Sequence, residues 1–328
     1  MREKTTKTKL VESVVEQNPN LEIREYTNFV WDKHKDLFES KEHVRTTVRT
    51  VRGVNGKSNR EKYTNKYLFQ ENFEIKKLEP ININRPDYIL KHKKPLILSD
   101  IHLPYHDFEA LNVALEYGVQ NGCDSILLNG DILDCEDISD FAKKLDGVSM
   151  NFERDVWFEF IEYIKQLKVP IMYKVGNHEN RLQRYLLKKA PELARLDELQ
   201  LENFLKLKDL DIEYISNLQL IKAGKLNIMH GHEFGGFVFN PVNPARGLFN
   251  RAKTNALCGH FHQTSSHHEN NLNNEGMACF TTGALCQLNP EYRPFAYTKW
   301  NIGFAFVEIF EDGFFHVHNK RIIDGRVS

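Results

Sequence analysis

A chain of 328 residues exceeds the usual size of a single hydrophobic core, so one large domain with an appendage is expected. With 41% hydrophobic and 27% charged residues and a net charge of −1, the composition is that of an ordinary soluble globule; it argues against a chain that is basic throughout and leaves room for a local basic patch. Five cysteines, an odd number without a C-x-x-C pair, argue against a disulfide framework and point to a reducing, cytoplasmic setting.

The first ten residues are polar and lysine-rich, so no signal peptide is expected, and no run of about 18 apolar residues is present to span a membrane. Residues 1–66 are expected to form a small helical module. Leu10, Val11, Val14 and Val15 make one helical stripe, and Tyr26, Phe29 and Val30 make a second. A third helix is predicted to start after Ser40, as its N-cap, and to stop at Gly53, with Val44, Val48 and Val51 on one face. Arg45, Arg49 and Arg52 repeat beside them at the same spacing, so three guanidinium groups line one stripe; Lys57, Arg60, Lys62 and Lys66 follow against only Glu61. Three short helices with a basic third suggest a helix-turn-helix-like module that contacts DNA or RNA. The alternatives are a solvated helix face or arginines docked on an acidic surface of the main domain. Residues 67–94 contain Pro80 and Pro86 without a clear period and read as a linker wrapping the main domain, with room for an edge strand.

The main domain, 95–328, opens with alternating units: strand 95–99, helix 108–119, strand 125–129, a polar loop, a helix, strand 171–175, and one or two helices between 180 and 206. The clearest helix places Phe152, Val156, Trp157, Phe160, Ile161, Ile164 and Leu167 on one face. After Asp211 short strands dominate, with hairpins expected through Ala223-Gly224-Lys225 and across Glu311-Asp312-Gly313.

Five polar runs follow the apolar runs 95–99, 125–129, 171–175, 226–229 and 256–258. They are Asp100-Ile101-His102, Gly130-Asp131-Ile132-Leu133-Asp134, Gly176-Asn177-His178-Glu179, His230-Gly231-His232 and Gly259-His260-Phe261-His262. Ligand-type side chains at the carboxyl ends of strands converge in the crevice where α/β sheets place their sites. Together the runs read as a metal site.

The ordered set resembles the calcineurin-like metallophosphoesterase superfamily, whose pattern is D-x-H, GD-x-x-D, GNH-D/E, a lone His and GH-x-H, matched here over about 96–262. The resemblance implies an α/β fold of two stacked mixed β-sheets flanked by helices, and a dinuclear metal-dependent phosphoester hydrolase. It implies that Asp100, His102 and His262 bind one metal, that Asn177, His230 and His260 complete a second, and that Asp131 bridges them. His178 corresponds to the histidine that protonates the leaving group, and Asp134 to a carboxylate that orients it. Mixed nitrogen and oxygen donors suit Mn²⁺ first, with Fe, Ni or Zn as alternatives. His106 and His232 match no metal position and are expected to support the site or face solvent. Asp107, Asp137 and Asp140 read as caps or loop charges, and His267-His268 as an exposed hairpin tip.

The protein Ser/Thr phosphatase branch reads G-D-x-x-D-R-G, whereas Cys135-Glu136 follows Asp134 here, so the arginine that would grip phosphate is missing. Glu179 likewise departs from the GNHD of the cyclic-nucleotide and nuclease branches. Arg181, Arg246 and Arg251, with Arg184, are the candidate replacements because they lie close in sequence to the metal motifs. The expected substrate is a phosphodiester of nucleic-acid or nucleotide type, which the basic third helix would help to hold. The alternative is a phosphomonoesterase acting on a phosphoprotein or small metabolite. A silent binding protein is disfavoured by the complete ligand set together with His178.

Overall fold

The computed structural model describes residues 4–53, 85–140, 147–235, 242–289 and 298–328; Lys57, Arg60, Lys62 and Lys66 and positions 67–84 of the expected linker lie outside them. The chain divides into two compact units, Met1–Asn82 and Ile83–Ser328.

In the first unit, α1 (Thr6–Gln17), α2 (Ile23–His34) and α3 (Lys41–Val51) each begin at a side chain that satisfies otherwise unpaired backbone N–H groups. Thr5 and Ser40 accept from Thr8 N and His43 N, while Glu22 and Glu25 form a reciprocal capping box. The apolar stripes meet in a small core of Val11, Val14, Tyr26, Val30, Phe38, Val44 and Val48. Gly53, at φ +75°, follows α3 in the left-handed conformation that ends helices.

The second unit is a two-sheet sandwich. Strands β2 (Pro95–Leu98), β3 (Ser125–Asn129), β4 (Ile171–Lys174) and β5 (Ile212–Ile215) run parallel. They continue antiparallel into β11 (Gly303–Ile309), β12 (Phe315–Ile323) and β13 (Arg326–Val327), in the order β13-β12-β11-β2-β3-β4-β5. The other sheet holds β1 (Tyr88–Ile89), β6 (Ile221–Ala223), β7 (Leu226–Met229), β8 (Ala256–Cys258), β9 (Ser265–Asn270) and β10 (Gly276–Thr281), in the order β1-β6-β7-β8-β10-β9. Strand β1 is the edge strand for which the linker had room, paired parallel to β6.

Successive residues on β2, β3 and β4 point to opposite faces, and both faces are covered. Leu96, Leu98, Ile126, Leu128, Ile171 and Tyr173 pack against α4 (Phe108–Gln120) and α5 (Met150–Ile164). Ile97, Leu127 and Met172 pack instead against Leu226, Ile228, Leu257 and Phe280 of the second sheet. This double coverage is why the strands read as unbroken apolar runs. Among the described residues of this unit there are three shorter α-helices, α6 (Asn180–Lys189), α7 (Leu201–Phe204) and α8 (Pro244–Ala252). Among the described residues no helix is long and apolar enough to cross a membrane.

Two local expectations are corrected. Phe152 belongs to the first turn of α5 but is 53% exposed, because the inward face of that turn is carried by Met150 and the buried Glu153, in line with Trp157. His267 and His268 lie inside β9, opposite Cys279 and Ala278, and the chain turns beyond them at 271–275. Asp107 caps α4 by accepting from Ala110 N, and Asp140 pairs with Arg184 and Lys188.

Trp157 is fully buried and donates its indole N–H to the Leu205 carbonyl at 3.1 Å. Trp157→Ala is expected to destabilise the second unit by about 3–5 kcal/mol, the usual span for removing a large buried aromatic. Urea unfolding of the two proteins, followed by circular dichroism, measures the difference.

Candidate metal centre

The polar runs leave the sheet where β2, β3, β4, β7 and β8 end. Asp100, His102, Asp131, His260 and His262 all have φ between +51° and +68°. Such left-handed backbone costs a non-glycine residue roughly 1–3 kcal/mol and persists only where surrounding contacts enforce it. The contacts are present: Asp100 N donates to Gly130 O at 3.1 Å and His102 N to Asp131 O at 3.0 Å, while His260 N donates to the Asp100 carboxylate at 2.9 Å. Gly176 permits the closest approach, since a Cβ there would fall on the backbone nitrogen of Asp131.

The turns bring the donor atoms of the motifs together. His102 Nε2 and His262 Nε2 are 3.3 Å apart, and His262 Nε2 lies 3.1 Å from Asp100 Oδ1. His230 Nε2 lies 3.1 Å from Asp131 Oδ2 and 3.2 Å from Asn177 Oδ1. Ligating atoms of Asp131, His230 and His260 lie within 4.8 Å of one another, as do those of His102, Asp131 and His178, so Asp131 is common to two groups. The opposite ring nitrogens are held: His230 Nδ1 faces Asn129 O at 2.8 Å, and His102 Nδ1 faces Asp134 Oδ1 at 2.8 Å. Each of these contacts turns Nε2 inward, toward the other donor atoms.

Asp134 serves two rings, because its Oδ1 also lies 3.3 Å from His178 Nδ1, which is closer still to the Asp134 carbonyl at 2.7 Å. Burial would raise Asp134, but hydrogen bonds from His102 and His178 hold it well below the ordinary carboxylate range. Burial alone would depress His178, but Asp131 and Asp134 outweigh it and raise the imidazole above its usual value. Arg181 Nη1 donates to Asp134 O at 2.8 Å, and its Nη2 lies 3.0 Å from His178 Nε2.

Of the four arginines expected to bind substrate, Arg181 is the one hydrogen-bonded to cluster residues among the described residues, while Arg184 pairs with Asp140. Arg246 and Arg251 are exposed on α8, and Arg251 reaches the carbonyls of Phe234 and Gly235 at 3.4 Å. His232 sits behind the cluster, its ring 5.3 Å from that of His230 and in contact with Asn217; burial and His230 lower it to about 4, against the pull of Glu233. His106 bonds to Pro104 O at 3.2 Å. In the N-terminal unit, Arg45, Arg49 and Arg52 line one groove with Arg24, Lys41, Glu22 and Glu42. Arg52 is committed there, since it donates to Leu21 O at 2.7 Å and lies 5.2 Å from the centre of the Tyr26 ring.

Three supporting roles were not read from sequence. Glu179 is buried and accepts from Gly176 N, Asp131 N, Ile132 N, Leu133 N and Tyr173 OH. Glu153, on α5, accepts from Cys135 N at 2.7 Å and Glu136 N at 3.0 Å, fixing the chain just after Asp134. Lys174 is fully buried and paired with Glu233 at 3.1 Å, and Glu233 in turn accepts from His230 N and Gly231 N. A lysine inside the otherwise apolar run Ile171–Lys174 was the available signal for the last pair, since a buried cation requires a partner.

The sequence model of the calcineurin-like phosphoesterase family matches residues 93–288, more than half of the chain. The chain belongs to that family. It is accordingly a metal-dependent phosphoester hydrolase, and the family implies a dinuclear divalent-metal site. Among solved structures the chain is similar to Vps29 from Cryptosporidium parvum, with 13% identity over 72% of this chain and 95% of that one and a TM-score of 0.39. It is also similar to the phosphoesterase Yfce from E. coli, with 14% identity over 69% and 98% of the two chains and a TM-score of 0.31. A dimetal phosphatase from Danio rerio shows 11% identity over 67% and 93%, with a TM-score of 0.33. No curated protein matches the chain significantly in sequence.

The residues present fit divalent cations. The His102 and His262 Nε2 atoms, 3.3 Å apart and facing the same space, are at a spacing that suits two ligands of one ion. His262 Nδ1 is buried without a hydrogen-bond partner among the described residues, and its ring packs against Trp300 at 4.3 Å between centres. Cys286 brings a sulfur within 4.8 Å of the His102 and His262 donors, a neighbour that the motifs do not contain.

Burial works against a charge on His230, but Asp131 overcomes it and pushes the imidazole up to about 10. The metal-free ring therefore carries a proton at neutral pH, which a cation bound at Nε2 must displace. Loading the metal-free protein with Mn²⁺ at pH 7 is expected to release protons, and affinity should rise with pH through this range. Titration calorimetry in buffers of different ionisation enthalpy measures the release; buffer-independent heats would contradict it.

Proposed function

We propose that the chain hydrolyses phosphodiester bonds of nucleic-acid or nucleotide type with a pair of divalent ions, Mn²⁺ first among them. The observation that supports this most is the trio at the rim of the donor cluster: His178, Asp134 and Arg181 within hydrogen-bond reach of one another. In this reading Asp100, His102 and His262 hold one ion, Asn177, His230 and His260 the other, and Asp131 lies between them. Bound there, the ions would activate the attacking water and neutralise charge on the phosphoryl oxygens.

His178 supplies the proton for the leaving oxygen. Its Nδ1 is occupied by the Asp134 carbonyl, which leaves Nε2 as the working nitrogen. Arg181 donates toward that nitrogen and opposes its protonation. A phosphoryl oxygen is a better partner for a guanidinium than a neutral imidazole is. Substrate would therefore draw Arg181 away from Nε2, and the carboxylates of Asp131 and Asp134 would then favour the protonated ring. One residue thus binds the phosphate and releases the acid.

Two features favour a diester. One guanidinium at the cluster matches the single negative charge of a diester better than the two charges of a monoester. The groove of the N-terminal unit also offers Arg24, Lys41, Arg45 and Arg49 to a polyanion. A polymer held by one unit of the chain is presented to the other at raised effective concentration, with no contact between the units required.

His178→Ala is expected to leave the bound metals in place and to lower turnover by about 10²–10⁴-fold, the usual span for a general acid. The loss should shrink with p-nitrophenyl esters, whose leaving group needs no proton. Equal losses with good and poor leaving groups would instead indicate phosphate binding.

Initial rates with Mn²⁺ on bis-p-nitrophenyl phosphate, p-nitrophenyl phosphate, single- and double-stranded DNA and RNA decide the substrate class. Preference for the monoester would overturn the diester reading. The double change Arg45→Gln/Arg49→Gln, which spares Arg52 and its fold-bearing contacts, should flatten the dependence of log K on log salt. The expected change is up to about 0.9 per lost phosphate contact on duplex DNA and about 0.7 on single strands. Hydrolysis of the small diester should be unchanged, and an unaltered salt slope would end the nucleic-acid reading of this groove.

A further inference from the structure

Strands β11 and β12 carry a second group of metal-type donors on the seven-stranded sheet. His316 and His318 are two apart on β12 and so share one face, and Glu308 of β11 stands directly opposite His316. Glu308 Oε2 lies 3.2 Å from His318 Nε2 and 3.9 Å from His316 Nδ1, and the two imidazole centres are 4.3 Å apart. One ligand atom from each residue lies within 4.8 Å of the other two.

We propose that Glu308, His316 and His318 form a cation site of the Zn²⁺ type, separate from the phosphoester centre. Ligands about 2.0–2.2 Å from Zn²⁺ at tetrahedral angles lie roughly 3.3–3.6 Å apart, so the observed spacings need only small side-chain rotations. Two imidazoles and a carboxylate are a donor set that zinc takes with water in its fourth position.

The frame is rigid where it matters. The β11–β12 ladder runs unbroken from Gly303↔Arg321 to Ile309↔Phe315, so the three Cα positions are fixed by register and not by a loop. The Phe306 ring lies 5.6 Å from that of His318 and backs it on the apolar side. Lys94 Nζ sits 3.4 Å from Glu308 Oε1, which leaves Oε2 as the oxygen turned to both rings. His316 is the exposed member, its side chain 63% accessible, which gives an ion a path of entry.

The test uses the full-length chain stripped of metal and titrated with Zn²⁺ against a chromophoric chelator. Wild type is expected to take up one equivalent more than His316→Ala/His318→Ala, while both proteins, reloaded with Mn²⁺, hydrolyse phosphoester equally well. Glu308→Gln should weaken the same equivalent by more than the roughly 10–100-fold that follows loss of an outer partner. Equal zinc stoichiometry and affinity in wild type and variants would overturn the proposal and leave the three residues as an ordinary surface contact. Should the double variant melt earlier than wild type without metal, His316→Gln, whose side chain is largely in solvent, is held to the same two outcomes.

Discussion

The carboxylate of Glu179 is what joins the loop after β3 to the loop after β4. Four backbone N–H groups, from Gly176, Asp131, Ile132 and Leu133, converge on its two oxygens, and Tyr173 adds a hydroxyl. Loop amides at the end of a buried parallel sheet have no strand partner and no water, so each would otherwise be costly. Burial and the neighbouring charge of Asp131 push the Glu179 carboxyl up, and the N–H groups oppose them by stabilising its charge. The hold on Asp131 matters most, because Asp131 faces both groups of donor atoms and its Oδ1 also accepts from His178 N at 2.9 Å.

From that anchor the cluster is built by exclusion of ordinary backbone. Asp100, His102, Asp131, His260 and His262 sit in left-handed conformations that few side chains adopt. Glycines precede Asp131, Asn177 and His260, and two of these positions, Gly130 and Gly259, would place a Cβ against His230 and Asp100. The packing around the donors therefore removes slack before any ion arrives. This is the preorganisation that catalysis by positioned charges requires.

Electrostatics then divides the histidines. Burial, with His230 beside it, brings His260 down to about 4, while Asp131 lifts His230 to about 10 despite its burial. The same kind of ring is thus made a ready neutral donor at one place and a proton carrier at another. Lys174 and Glu233 extend this pairing behind the cluster, where Glu233 holds the backbone of His230 and Gly231. His178 differs from the others in lying beside Arg181, whose Nη2 is 3.0 Å from its Nε2.

Much of this was legible in the chain itself. The runs 125–129, 226–229 and 256–258 coincide with β3, β7 and β8, because strands buried on both faces leave continuous apolar sequence. Ser40 and Gly53 marked the third helix for the same local reason: capping and left-handed backbone are written in single residues. The order of the polar runs named the residues that converge, since each is tied to the end of its own strand. What the sequence could not carry was anything set by partners far apart in the chain. Glu179 looked like a departure from a motif until the amides of residues 131–133 were seen to end on it. Arg45, Arg49 and Arg52 looked equivalent until the fold gave Arg52 to Leu21 and Tyr26. Glu308 and the His316, His318 pair have no common motif, and strand register alone brings them together. Spacing along a chain determines strands, caps and ordered donors; which buried charge answers which backbone group is decided only when the sheets close.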